Sequence, residues 1–329
     1  MNLRKLFYLM LILPLLFLYT GCSDDDGDVV DPTTGVNEAE VLVKHLESNG
    51  DFINTGAPAM IKASNVRTNL VAGADQVVLD IRAADDYNAG HIDGAINVAP
   101  GDVLDYYESN NLAGEEVVVI ACYSGQTAAW VTGLMNILGY NNVKDLKWGM
   151  SSWNPETSGP WVNGIGNSRA TELVTTSYPK AEEGELPELN TGAEEGADIL
   201  RARVEEVFAE GFGAAKVSNA DVFASPGNYY IVNYWKQDHY DWGHIPGAIQ
   251  YTPKSSFRLD ADLKTLPTDK TIAVYCYTGQ TSAHVAAFLR SLGYDAKSIV
   301  YGVNAMAYDN MPGTRFVAET EVHDYDLAK

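Results

Sequence analysis

The sequence predicts an α/β protein of two successive domains with one architecture. Each is a parallel sheet covered by helices on both faces, a three-layer α/β/α unit. Three observations predict it. The chain of 329 residues, 46% of them hydrophobic, is long enough for two domains with cores of their own. It also repeats itself at a spacing far longer than that of small stacked repeats. Gly90-His91-Ile92 recurs as Gly243-His244-Ile245, and Cys122-Tyr123-Ser124-Gly125-Gln126-Thr127 as Cys276-Tyr277-Thr278-Gly279-Gln280-Thr281, at offsets of 153 and 154 residues. Finally, short apolar runs alternate in each copy with a helical period, the pattern of right-handed crossovers in a parallel sheet.

In chain order, Arg4 and Lys5 precede an apolar run, 6–19, whose length suits a signal-peptide core better than a membrane span. Thr20-Gly21-Cys22 follows. A small pair ahead of a lone cysteine resembles the bacterial lipoprotein cleavage box, although Tyr19 stands where leucine is usual. Residues 1–22 are therefore expected to be a lipoprotein signal peptide with Cys22 as the lipidated residue, and 23–38 an acidic tether. This places the protein in the bacterial cell envelope, lipid-anchored at the outer membrane, on its periplasmic or surface face. An ordinary cleaved secretory signal is the alternative.

The first domain is expected over 39–165. Its strands are QVVLDI at 76–81 and EEVVVIAC at 115–122. Val131, Leu134, Met135 and Leu138 then fall at helical spacing, with Gly139 where a helix C-cap favours glycine. Residues 166–193, overlapping a stretch at 171–198 rich in Glu, Gly and Pro, are expected to link the domains. The second domain, 194–329, repeats the plan. It has strands at 229–234 and 270–276, helical positions Val285, Phe288, Leu289 and Leu292, and Gly293 at the cap.

A net charge of −22 disfavours nucleic acid and anionic lipid as partners. It also opposes small anionic substrates unless a site focuses positive potential. Three cysteines cannot build a dense disulfide framework. With Cys22 assigned to lipid, Cys122 and Cys276 remain, each at the carboxyl end of an expected buried strand, the edge where parallel sheets place ligands. The loop after each must curl tightly, which Gly125 and Gly279 permit. Its backbone N–H groups and the helix start behind it converge on the sulfur and favour a thiolate and an anion bound to it. Ser124, Thr127, Thr278 and Thr281 add hydroxyls.

These residues resemble the rhodanese (thiosulfate sulfurtransferase) superfamily, here as tandem rhodanese-like domains. The resemblance rests on LDIRAADDYNAGHIDGAINV at 79–98, the cysteine loop, the LGY triplet at 138–140 and 292–294, and the WGMSSW turn, in that order, with most of the set found twice. It implies a sulfurtransferase in which Cys122 and Cys276 are the catalytic persulfide carriers. A sulfane sulfur would pass from thiosulfate, or from a less charged persulfide or polysulfide, to a thiol or cyanide. It implies substrate-binding roles for Tyr123, Ser124, Gly125, Gln126, Thr127, Tyr277, Thr278, Gly279, Gln280 and Thr281, and for Asp80 and Arg82. The loop is shorter than in the related phosphatases and lacks their closing arginine, which argues against phosphate-ester chemistry.

Two departures bear on substrate. Gln126, Thr127, Gln280 and Thr281 stand where many sulfurtransferases carry a basic residue, so a weakly charged donor is expected. Asp80, Arg82 and Asp86 of copy one become Asn233, Trp235 and His239 in copy two. Arg82 and Asp86, four apart, could pair as a structural clamp. Both copies are expected to be chemically competent, with copy one nearer the family pattern. His91 and His244 are expected to be structural turn residues. No metal spacing, phosphate loop or dinucleotide fingerprint appears, so no cofactor and no metal are expected. The protein is expected to be a monomer. The competing readings are a non-catalytic binding or sulfane-sulfur sensing module, a cysteine that is only a small core residue, and a disulfide between the copies.

Overall fold

The computed structural model describes residues 37–329, so the expected signal peptide, Cys22 and nearly all of the tether lie outside the described residues. Each copy is a five-stranded parallel sheet. In copy one the strands are β1 (Met60–Ile61), β2 (Gln76–Asp80), β3 (Ile96–Asn97), β4 (Val117–Ala121) and β5 (Val143–Leu146), in spatial order β1-β5-β4-β2-β3. In copy two β6 (Lys216–Val217), β7 (Tyr229–Asn233), β8 (Ile249–Gln250), β9 (Thr271–Tyr275) and β10 (Ala296–Ile299) follow the same order, β6-β10-β9-β7-β8. The apolar runs read as strands are thus the central strands β2, β4, β7 and β9.

Their continuous hydrophobicity has a simple cause: both sheet faces are covered. Val118 and Ile120 of β4 enter one core cluster, whereas Val119 and Ala121 point to the opposite face with Val66, Ile92 and Trp153. Copy two alternates likewise, Ile272 and Val274 against Ala273 and Tyr275.

The helices that follow the cysteine loops, Gln126–Ile137 and Gln280–Ser291, are buried on nearly every side rather than on one stripe. They pack against each other, and a Cβ on Gly133 would lie 3.1 Å from that of Ala287. Leu134 and Met135 therefore share one core cluster with Phe288 and Leu289, so the two sheets rest on a common hydrophobic centre.

Each copy also lends a terminal arm to the other. The stretch read as a linker begins by running along copy two. There Gly166 N–H donates to Asn304 O at 2.8 Å, and Val174 forms an antiparallel bridge with His244. Farther on, Leu186 and Leu189 are buried in the common core. Reciprocally, the C-terminal segment runs along copy one. Ala328 bridges His91, and Trp153 Nε1–H donates to Asp326 O at 3.0 Å. Among the described residues no helix is long and apolar enough to cross a membrane.

Candidate active site

β4 ends at Ala121, and Cys122 opens the turn into the helix Gln126–Ile137. Gly125, at φ +80°, supplies the left-handed step that lets the chain reverse, and Gly279 repeats it at φ +77°. The turn is seated against its own sheet by Gly149, also left-handed at φ +61°. A Cβ there would collide with Cys122 O and Gly125 N, and Gly302 meets Cys276 O in the same way. The glycine repeated in KWGM and VYGV is thus a requirement of close approach to the loop.

Both thiols are free and nearly buried, Cys122 at 6% exposure and Cys276 at 3%. Cys122 Sγ accepts from Ala128 N–H at 3.4 Å, and Cys276 Sγ from Ser282 N–H at 3.3 Å. Burial pushes the Cys122 thiol above its ordinary range. The backbone N–H groups of Ala128, Gly125 and Ser124 pull it back only in part. The resting state is therefore a sheltered thiol whose anion, once formed, finds donors in place.

The flanks of the two loops differ. Arg82 forms its ion pair with Asp80, not with Asp86. Its Nε and Nη2 reach both Asp80 oxygens at 2.6–3.1 Å, and Nη2 also donates to Gly90 O at 2.7 Å. The expected Arg82–Asp86 clamp fails because Arg82 lies ahead of the helix Ala84–Ala89. The four-residue helical spacing does not apply there, and the end of β2 is the nearer anion. The guanidinium lies over the Tyr123 ring, 4.9 Å from its centroid, and Asp86 faces the Tyr123 hydroxyl. In copy two the pair is replaced by neutral groups. Asn233 donates to Tyr275 Oη at 2.7 Å, Trp235 stacks on Tyr277 at 4.7 Å, and His239 bonds the Tyr277 hydroxyl. Asn233 Oδ1 and Trp235 Nε1 are left without hydrogen-bond partners among the described residues.

The loop glutamines reach the other copy, Gln126 while its Nε2 donates to Ser124 Oγ of its own loop at 3.1 Å. Gln126 Oε1 accepts from Tyr301 N–H of copy two at 2.6 Å, and Gln280 Oε1 accepts from Trp148 N–H of copy one at 3.1 Å. The two bonds are mates across the pseudo-twofold relation of the copies. Gln280 Nε2 also donates to Asp145 Oδ2 at 2.8 Å, and His284 Nε2 lies 3.4 Å from Asp145 Oδ1. Burial raises Asp145 well above the carboxylate range and lowers His284 to about 4. Burial thus favours the neutral form of both: His284 Nδ1–H donates to Gln280 O at 3.1 Å and Nε2 accepts from Ala59 N–H at 3.5 Å, while Asp145 Oδ1 has no hydrogen-bond partner among the described residues. These groups brace the interface between the copies.

Of the other predicted residues, Ser124 and Thr127 are half-buried on the outer side of the first loop, while Thr278 is buried beside Cys276, its Oγ1 3.9 Å from Sγ. Tyr277 is roofed as well: a Cβ on Gly313 would overlap its ring. His91 and His244 stack on Tyr87 and Tyr240 at 3.8 and 3.7 Å, with Nδ1 on a carbonyl of the same turn. Tyr301, Trp161 and Lys216 stand beside the first loop and were missed. Trp161 Nε1–H donates to Ser124 O at 2.9 Å, and the Tyr301 phenol faces the Ser124 hydroxyl. Tyr301 precedes the repeated glycine, which was the available signal. Lys216 carried none.

A family model described as the rhodanese-like domain matches residues 63–156 and again 226–307. The thiosulfate sulfurtransferase GlpE of Pseudomonas fluorescens is 32% identical over 93 residues, which are 28% of this chain and 82% of that protein. YibN of Escherichia coli, an uncharacterized protein, is 30% identical over 102 residues, 30% of this chain and 68% of that one. The adenylyltransferase and sulfurtransferase UBA4 of Meyerozyma guilliermondii is 30% identical over 117 residues, 32% of this chain and 28% of that protein, so the match spans less than a third of its length.

Proposed function

Because the chain belongs to the rhodanese-like domain family, we propose that it is a sulfurtransferase working by double displacement through Cys122 and Cys276. The single observation that supports this best is the cradle at Cys122: a sheltered sulfur met by backbone N–H groups at the start of a helix. In the first step the Cys122 thiolate attacks the outer sulfur of a donor R–S–SH. The donor S–S bond breaks, its electron pair leaves as R–S⁻, and the enzyme holds Cys–S–SH. In the second step an acceptor thiolate or cyanide takes that sulfur and returns the Cys122 thiolate, giving ping-pong kinetics. The chain's own residues shelter the sulfur and donate to its anion. Arg82, tied to Asp80, holds Tyr123 beside it.

Copy one is the main site in this reading. Its loop is open at Ser124, whereas the matching Thr278 is buried and the Tyr277 ring lies against Gly313. Cys276 forms a persulfide more slowly. The donor is thiosulfate or, favoured by the absence of a basic residue in the loop itself, an organic persulfide or polysulfide. From the sequence, the protein is also proposed to be a monomer of domains 39–165 and 194–329, anchored through a lipid on Cys22 in the bacterial envelope, with no nucleic-acid partner. A non-catalytic sensing role is the second reading, supported by the near-complete burial of both thiols.

The deciding experiment is sulfur transfer to cyanide by the wild type, Cys122→Ser, Cys276→Ser and the double variant. Each protein is also weighed by mass spectrometry after donor exposure. Turnover that falls mainly with Cys122→Ser, with one added sulfur atom on Cys122, supports the enzyme. Addition of sulfur without turnover leaves the sensor, and turnover that survives in the double variant sinks both readings.

A further inference from the structure

The first cysteine loop does not end at its own domain. A cleft of about 400 Å³ runs beside it, with Ser124 and Thr127 on one wall and Lys216, Ser218, Asp221 and Tyr301 of copy two on the other. Its volume is in the range of small organic ligands and larger than an inorganic anion needs. Lys216, the first residue of β6, forms no ion pair among the described residues. The one carboxylate on its wall, Asp221, is held by the Ser218 hydroxyl at 2.6 Å. On a protein of net charge −22, an ammonium free to meet a ligand beside the loop is a local exception.

The pseudo-symmetric position is built differently. By strand register Met60 stands where Lys216 does, pairing Asp145 as Lys216 pairs Ser298. Lys62, the counterpart of Ser218, lines a cavity of only about 140 Å³ that holds Trp148 and Lys147 but no residue of the second cysteine loop. The C-terminal arm fills that space. Glu321 accepts from Trp148 Nε1–H at 2.8 Å and lies 3.7 Å from Lys147 Nζ. One of the two related clefts is therefore open to a ligand and the other is occupied by the chain's own carboxylate.

From this geometry we propose that the cleft is the donor subsite of copy one and that it selects a small organic persulfide carrying one carboxylate. The carboxylate meets Lys216, and the sulfane end lies at the Ser124–Thr127 side of the loop. One ammonium facing a fixed aspartate suits a single negative charge and penalises a dianion. The proposal deepens the sulfurtransferase reading and rests on it. The transfer is the one given above: the donor S–S bond breaks, the new S–S bond forms on Cys122, the proton stays on the transferred sulfur, and the organic thiolate departs through the cleft.

The test compares two donors of similar size, the persulfides of 3-mercaptopropionate and of 2-mercaptoethanol, which differ in a carboxylate against a hydroxyl. In Lys216→Gln the ratio of kcat/KM for the carboxylate donor to that for the neutral donor should fall about three- to fivefold, the range of one exposed ion pair. Lys62→Gln should leave the ratio unchanged. Binding of the unreactive thioether 3-(methylthio)propionate, followed by NMR titration, should weaken in Lys216→Gln by a similar factor. An unchanged ratio in Lys216→Gln, or an equal fall in Lys62→Gln, overturns the subsite and leaves the sulfurtransferase standing. If the wild type uses neither donor, the activity reading fails. The thioether titration then decides the cleft alone, and binding that does not depend on Lys216 overturns it.

Discussion

Replacing Arg82 by methionine should cost about 3–5 kcal/mol of folding free energy, the usual consequence of stranding one member of a buried ion pair. The structure sets that scale. Asp80 and Arg82 are fully or nearly buried, at 0% and 6% exposure. The guanidinium makes three contacts to the carboxylate and one to Gly90 O. Removing it leaves a carboxylate in the core with the backbone N–H of residue 82, at 3.0 Å, as the one donor that residue still offers it. The double variant Asp80→Asn/Arg82→Met removes both charges, as copy two does with Asn233 and Trp235, and should be clearly more stable than Arg82→Met alone. Coupling between the two sites should reach about 2–3 kcal/mol. Urea unfolding followed by tryptophan fluorescence measures all four corners of the cycle, with the slope checked for constancy. A loss under about 1 kcal/mol for Arg82→Met, or additive effects in the double variant, would refute the view that this pair holds the flank of the Cys122 loop.

Gly149→Ala should cut sulfur transfer at copy one by at least about tenfold while the fold survives, since its Cβ must displace the Cys122 and Gly125 backbone from the cradle. Single-turnover loading of Cys122 in a Cys276→Ser background would show it, and near-normal loading would remove the cradle from the argument. In that background the rate of persulfide formation should climb with pH through and beyond about 8.5, because burial raises the Cys122 thiol and only the thiolate attacks. A profile already flat between about pH 6 and 8 would mean that the loop donors outweigh burial.

The two copies show how one motif can be kept while its surroundings diverge. In both, the cysteine follows a central strand, the glycine turns the chain, and the glutamine crosses to the partner copy. Around that frame copy one keeps a charged pair and an open loop. Copy two substitutes stacked aromatics and is roofed by the segment carrying Gly313. Unequal work by the two cysteines is the functional consequence we propose.

The sequence alone determined what depends on local pattern. The central strands could be read from apolar runs because both faces of β2, β4, β7 and β9 are covered. The loop could be read because a cysteine, a glycine in the left-handed region and a helix start are neighbours in the chain. The duplication revealed itself by its spacing. What depends on contacts between distant residues had no local sign. Arg82 chose Asp80 over Asp86 because strand geometry, not helical spacing, governs that turn. Gln126 and Gln280, read as loop residues that touch substrate, became braces because the two loop helices pack face to face and bring each amide to the other copy's backbone. Lys216 entered the first site, and Glu321 closed the second, only because the copies exchange arms and stack about a pseudo-twofold axis. That arrangement follows from the burial of a shared core, and no single copy's sequence encodes it.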